Sequence, residues 1–381
     1  MAELTTQQRR HHRNKLLFLM FAGAIGIMLL VIGGYQLIEF SDTTAFCGRL
    51  CHEVMYPEYT AYQVSPHSRV LCSECHVGSG AGYLVKSKLS GIPLVFSTIA
   101  GNYSRPILTP VENLRPARET CEQCHRPGRF AGDVVRVHTT YGTDEKNTRT
   151  VDTRVLRVGG GEPEVTQDIH WHIGAEVWYL PLDQKRQEIA WVGVKNINGE
   201  MPEYIDLKQA AELSPQRIKS EQRLMDCIDC HNRATHIFQS PAGLIDTALV
   251  QGEIDSSLPF IKREGLKALD PPSATLEEAY AKVETIKDFY RTSYPQIYRE
   301  KETAIGAAVE VLNTVARLTT FPDMRVSWKT YIDNAGHVES PGCFRCHGKL
   351  VATSGTQEGK VVNADCNLCH YFELGAIGQG K

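Results

Sequence analysis

The chain has 381 residues, 42% of them apolar, and a formal net charge of −3. That length and apolar content allow two or three domains with ordinary cores and exclude a disordered chain. So small a charge names no partner, and no nucleic-acid partner is expected.

Residues Leu16 to Tyr35 form a stretch of twenty without a charge, which at the helical rise spans about 30 Å, the thickness of a hydrocarbon core. Arg9, Arg10, Arg13 and Lys15 precede it and Glu39 and Asp42 follow it. The positive-inside bias therefore keeps 1–15 cytoplasmic, makes 16–38 a transmembrane anchor and exports the rest. A cleaved signal peptide is the competing reading, but its apolar region runs only about 7–15 residues. Gly23, Gly26, Gly33 and Gly34 would permit close helix packing in the membrane, so a membrane-complex subunit or a second copy is a conceivable neighbour.

Residues 39–132 crowd three cysteine pairs into a short span and leave few residues for a conventional core. Tyr56, Tyr59 and Tyr62 recur at helical spacing, as one aromatic face. Residues 81–100 are apolar apart from Lys86 and Lys88, the composition of an interfacial segment. From 133 to 206 the texture is β: Val151–Val158 alternates, and Glu176–Leu182 and Glu188–Lys195 flank a polar turn, predicting a small antiparallel sheet. The run Ile169-His170-Trp171-His172-Ile173 reads as a strand with both imidazoles on one face. Residues 207–381 are helical, with a capping box at Thr275 and Glu278 and a second helix near 296–318 that stops before Pro322. These helices are expected to wrap a second cluster of cysteine motifs.

All twelve cysteines fall into six pairs, each followed at once by histidine: Cys47/Cys51-His52, Cys72/Cys75-His76, Cys121/Cys124-His125, Cys227/Cys230-His231, Cys343/Cys346-His347 and Cys366/Cys369-His370. Five are C-x-x-C-H, the haem c attachment signature, in which two thiols add to vinyl groups and the adjacent imidazole takes one face of the iron. Zinc ribbons, disulfides and thioredoxin-like pairs place no demand on the next residue. Histidine is 14 of 381 residues, so chance would put one at a given position about 4% of the time; six in six belongs to haem. The fold class expected is a multihaem cytochrome c, mainly α with a haem-packed core, one N-terminal transmembrane helix and a small antiparallel β insert, holding six haem c groups.

A low-spin iron needs a second axial ligand, His or Met. Setting aside His11, His12 and the attachment histidines leaves His67, His138, His170, His172, His236 and His337, six spare imidazoles for six irons. Of His170 and His172, one is expected to ligate. His236, five residues after His231, is too close to reach round the same iron and should serve a neighbouring haem.

The segments Thr43-Thr-Ala-Phe-Cys-Gly, His52-Glu-Val-Met55, Pro57-Glu-Tyr-Thr-Ala-Tyr62, Ser65-Pro-His67 and Cys72-Ser-Glu-Cys-His76-Val-Gly resemble the NapC/NirT family of membrane-anchored quinol-oxidising cytochromes. Cys227-Ile-Asp-Cys-His-Asn-Arg-Ala-Thr-His236 and Gly342-Cys-Phe-Arg-Cys-His-Gly resemble its extended multihaem members. The resemblance implies a menaquinol site near the first haem, at the inner-membrane surface, and transfer to a periplasmic redox protein or reductase. It departs in two places. The first motif has three residues between its cysteines, and Met55 follows His52 by three, leaving open which of the two holds that iron. The relatives also set a lysine and then an aspartate by the quinol. Lys86 or Lys88 matches the lysine, but no carboxylate lies between His76 and Glu112, so Glu53 or Glu58 is the substitute proton acceptor. Two rival functions are a terminal reductase of nitrite, hydroxylamine or sulfite, which needs an iron with an open face, and a passive relay docked to a larger membrane complex.

Overall fold

The computed structural model describes residues 6–50, 52–78, 80–110, 116–126, 132–160, 168–195, 199–354 and 357–372. Helix α1 (Thr6–Ser41) contains the apolar stretch as one span, Arg10–Ser41, none of it buried by the rest of the protein. Its end leads through Asp42 into a π-helical turn, Phe46–Leu50, and then α2 (His52–Gln63). The wider π turn absorbs the third spacer residue of the first motif. Gly48 is required there, because a Cβ would run into the Tyr59 ring. The three tyrosines do not act as one face: Tyr59 and Tyr62 stack at 6.1 Å, while Tyr56 meets Phe321 edge-on. Helix α3 (Ala81–Ile99) exposes Val85, Leu89, Ile92, Phe96 and Ile99, an apolar stripe at three- and four-residue spacing.

The β region forms two sheets. Strands β1 (Val134–Tyr141) and β2 (Arg149–Leu156) pair antiparallel, and a late strand, here β8 (His370–Phe372), joins β2 on its other edge. The second sheet is built on β3 (Glu176–Pro181) and β4 (Ile189–Lys195), close to the predicted bounds. It is extended by β5 (Glu203–Ile205), β6 (Arg223–Leu224) and β7 (Val351–Ala352) in the order β6-β3-β4-β5-β7. Each sheet thus takes strands from beyond residue 206, which ties the expected insert to the C-terminal region.

Helices α4 (Pro241–Gln251), α5 (Ile261–Leu269), α6 (Leu276–Ser293), α7 (Pro295–Glu300) and α8 (Glu302–Thr319) pack around Ile245, Leu258, Ile261, Val283, Ile286, Tyr290 and Leu312. The predicted cap is present, Glu278 N donating to Thr275 Oγ1 at 3.1 Å, while Glu278 reaches back to Ala274 N at 3.0 Å. The expectation that these helices wrap haems is not met. Residues 238–336 hold neither cysteine nor histidine, and the bundle closes on its own aliphatic side chains, which supply enough apolar area without a prosthetic group. A buried ion pair joins the bundle to the first sheet: Lys262 Nζ contacts Asp246 Oδ1 at 2.7 Å and donates to Tyr141 O at 2.5 Å, and Tyr141 N donates to the same carboxylate at 3.0 Å. Lys262→Ala strands Asp246 in the interior and should cost about 3–5 kcal/mol of stability, read as a fall in the denaturant midpoint.

Candidate functional site: facing imidazoles

Four motif histidines each face a histidine from a distant part of the chain. Ring centroids lie 5.9 Å apart for His125 and His67, 6.2 Å for His76 and His236, 5.8 Å for His347 and His172, and 6.1 Å for His370 and His337. An iron bound by two imidazoles at about 2 Å each holds their centroids about 6 Å apart. His231 lies within electrostatic range of His170, and its charge adds to burial in lowering the pKa of His170. His172 therefore faces one motif and His170 lies near another.

They do so because the run is not a strand. Ile169 N donates to Arg157 O at 3.0 Å and His170 N to Val158 O at 2.9 Å, continuing from the end of β2, after which Trp171–Gly174 turns helical. Two residues on a helix project about 200° apart, so the imidazoles diverge to different partners instead of sharing a face.

Three of the facing rings are held in the neutral form that a metal ligand takes. His172 Nδ1 lies 2.9 Å from Ile169 O, His236 Nδ1 3.0 Å from Glu58 O and His347 Nδ1 2.5 Å from Asn363 O. A carbonyl only accepts, so each Nδ1 carries the proton and Nε2 keeps its lone pair, as a metal ligand must. Burial lowers the pKa of His76 and His172 and takes that of His236 down to about 4. Desolvation by the surrounding groups pushes the Cys230 thiol up to about 11 and Cys346 up to about 12, whereas a hydrogen bond with Cys47 brings Cys72 down to about 6. The residues present fit haem c.

Cys124, like Cys75, Cys230, Cys343 and Cys366, is exposed on the polypeptide surface. The third motif leaves the single helical turn Ala117–Cys121 at the surface, where Cys124 N donates to Cys121 O at 3.2 Å and His125 N to the same carbonyl at 2.7 Å. So tight a turn spends its hydrogen bonds on itself and leaves the Cys124 thiol outside the packed side chains. The assignment of Cys124 to haem attachment therefore rests on its spacing from Cys121 and His125, while the ligand face of the same motif is built, with His67 across from His125.

The remaining candidates are dispersed. His138 is exposed on β1 opposite Asp152, and no motif imidazole is described beside it. Met55 is half-buried against Val54, Phe238, Phe321 and Met324. Cys51 and the His52 side chain lie outside the described residues. Glu53 is held by Arg105 at 3.0 Å. Glu58 is turned inward: it is buried, receives Arg233 Nη2 at 2.9 and 3.2 Å, and lies 3.4 Å from His236 Nδ1. Burial raises its pKa against the pull of Arg233. That position suits orienting His236 and not meeting a quinol.

Lys86 is exposed, whereas Lys88 Nζ contacts Asp42 Oδ1 at 2.5 Å and Ser41 Oγ at 2.6 Å, where α1 ends. Ser73 Oγ, inside the second motif, donates to Asp42 O at 3.0 Å. Asp42, Ser73, Glu74, Val77 and Leu84 line an open cleft of about 520 Å³, a size suited to a small organic ligand. Sequence reasoning sought a carboxylate downstream of His76 and so passed over Asp42; its place at the membrane exit of the anchor, five residues before Cys47, was the available signal.

Cysteine pairs with adjacent histidines, and distant imidazoles set across from them, define a c-type cytochrome. Residues 9–107 match the family model for the N-terminal region of the NapC/NirT cytochrome c family. The chain is 43% identical over 363 residues to the cytochrome c-type protein ImcH of Geobacter sulfurreducens, an alignment that spans 94% of this chain and 71% of that protein. No solved structure matches it. The chain belongs to the NapC/NirT cytochrome c family, whose members carry haem c in electron transport, and α1 fits the membrane anchoring of that family. Replacing His236 with Ala removes no cysteine, so haem attachment should persist while one iron turns high-spin, a change that electron paramagnetic resonance detects.

Proposed function

We propose that this protein oxidises menaquinol at the outer face of the bacterial inner membrane and relays the electrons through six haem c groups to a periplasmic redox protein or reductase. The single observation that carries the reading is the Lys88–Asp42 pair, set beside the second motif where the anchor ends. Quinol oxidation releases two electrons and two protons. The Asp42 carboxylate is suited to accept a hydroxyl proton as general base, and the Lys88 ammonium to stabilise the negative charge left on the quinol oxygen. Glu74, on the same cleft, offers a second acceptor on the way to the periplasm. The apolar stripe of α3 fits a helix lying in the bilayer interface, which would hold Lys88 at headgroup level and open the cleft to the lipid. The bound haem irons take up the electrons one at a time.

Four motif histidines face a second imidazole, which supports two axial ligands at those motifs and favours electron transfer over the terminal-reductase reading, since a reductase needs an open iron face. Reduction of the α-band by a menaquinol analogue in reconstituted vesicles tests the reading, and an unreduced spectrum would sink the donor assignment. Asp42→Asn and Lys88→Met should each slow that reduction by about 10²–10⁴-fold, the range for loss of a positioned acid–base group, with reduction by dithionite unchanged.

A further inference from the structure

In the linear sequence the six motifs fall unevenly. Three lie within 47–125, the fourth stands alone at 227–231, and the last two follow at 343–370. The tertiary structure draws the fourth motif against members of both outer groups. On the membrane side, Asp226 Oδ2, one residue before Cys227, accepts from Ala117 N at 2.8 Å and Arg118 N at 3.3 Å, the residues that lead into the third motif. His236, which closes the segment after the fourth motif, faces His76 of the second. Arg233 of the same segment grips Glu58, and Thr235 Oγ1 lies 2.9 Å from Ser65 Oγ.

On the other side, the spacer residues of two motifs interlock. Arg345, between Cys343 and Cys346, donates through Nη2 to Asp229 O at 2.6 Å and through Nη1 to Arg186 O at 2.9 Å. The Asp229 carboxylate, between Cys227 and Cys230, accepts from Tyr179 OH at 2.6 Å and Arg186 Nη1 at 2.9 Å. The 170–172 turn lies on the same side, since His172 faces His347 of the fifth motif. The fifth then joins the sixth, as His337 lies just before Cys343 and faces His370. Arg118 Nη2 also donates to Ile173 O at 2.8 Å, tying the third motif's flank to the 170–173 turn beside His172 through a guanidinium and a backbone carbonyl, with no cysteine motif between them.

We propose that the fourth motif, Cys227 to His231, is the single crossing between the membrane-side trio and the outer pair, so that electrons entering near the first motif reach the fifth and sixth only through it. This rests on the relay reading above and assigns its internal order: entry at the membrane, crossing at the fourth motif, exit by way of the fifth and sixth. Each transfer moves one electron from a reduced iron to its oxidised neighbour, with quinol as reductant and the periplasmic partner as final oxidant.

The test uses the full chain in vesicles, with either a menaquinol analogue or a photoreductant confined to the lipid as donor. In Cys227→Ser/Cys230→Ser, which lacks one haem, the membrane-side trio should reduce promptly and the outer pair only on adding dithionite. A single fast phase for all five would overturn the proposal. Because that variant removes an attachment site and can fail to fold, His170→Met keeps every cysteine and replaces the imidazole we assign as second ligand of the fourth motif with a methionine, which raises the potential of the iron it serves. Spectroelectrochemistry should show one step displaced upward, with reduction of the outer pair slowed by about tenfold or more and the trio unaffected. An unmoved titration, or a moved step with the outer pair reduced at the original rate, would equally overturn it. Wild-type protein reduced by the photoreductant but not by quinol would count against the donor and leave the crossing to be judged by the variants.

Discussion

The fold is governed by the need to bring two imidazoles to opposite sides of one gap, about 6 Å between ring centroids, at sites whose two histidines lie far apart in the chain. His76 meets a partner 160 residues away and His347 one 175 residues away. Every such pairing closes a long loop, at an entropic cost that grows slowly with loop length, so contacts near each pair must hold the ends in place. The buried polar clusters do this.

Two of these clusters stand directly behind the rings. Glu58 and Arg233 form a buried pair whose guanidinium also stacks over Tyr331 at 4.5 Å and Phe238 at 5.1 Å, and whose Nε donates to His236 O at 2.9 Å. Asp229 gathers Tyr179, Arg186 and its own N-cap backbone, Asp226 N donating to Oδ2 at 2.7 Å. A buried charge with its hydrogen bonds satisfied contributes little net stability but specifies one arrangement, because breaking the pair leaves an uncompensated ion. These clusters are accordingly better understood as devices of register than as sources of stability. They orient His236 and lock the spacer residues of neighbouring motifs together.

Stability is supplied elsewhere. The bundle of α4 to α8 contains neither cysteine nor histidine and buries a continuous aliphatic core, and the Lys262–Asp246 pair fastens it to the β1–β2 hairpin. The molecule thus separates two tasks, an ordinary hydrophobic core that folds by burial of apolar area and a polar, loop-rich region that presents ligands.

Much was legible in the sequence because it depends on local chemistry. The six Cys/Cys-His signatures, the anchor and the strands near 150, 180 and 190 follow from covalent spacing, apolar length and period-two alternation, all contained in short windows. The resemblance carried by the opening helix and residues 40–130 was legible for the same reason. What the tertiary structure decided was pairing: that His170 and His172 diverge, that Glu58 faces Arg233 and not the membrane, that Asp42 is the carboxylate at Lys88, and that the late helices close on themselves. Each of these depends on which distant segments meet, and a period or a motif carries no information about the partner across a gap, because that choice is made by packing and hydrogen bonding over the whole chain.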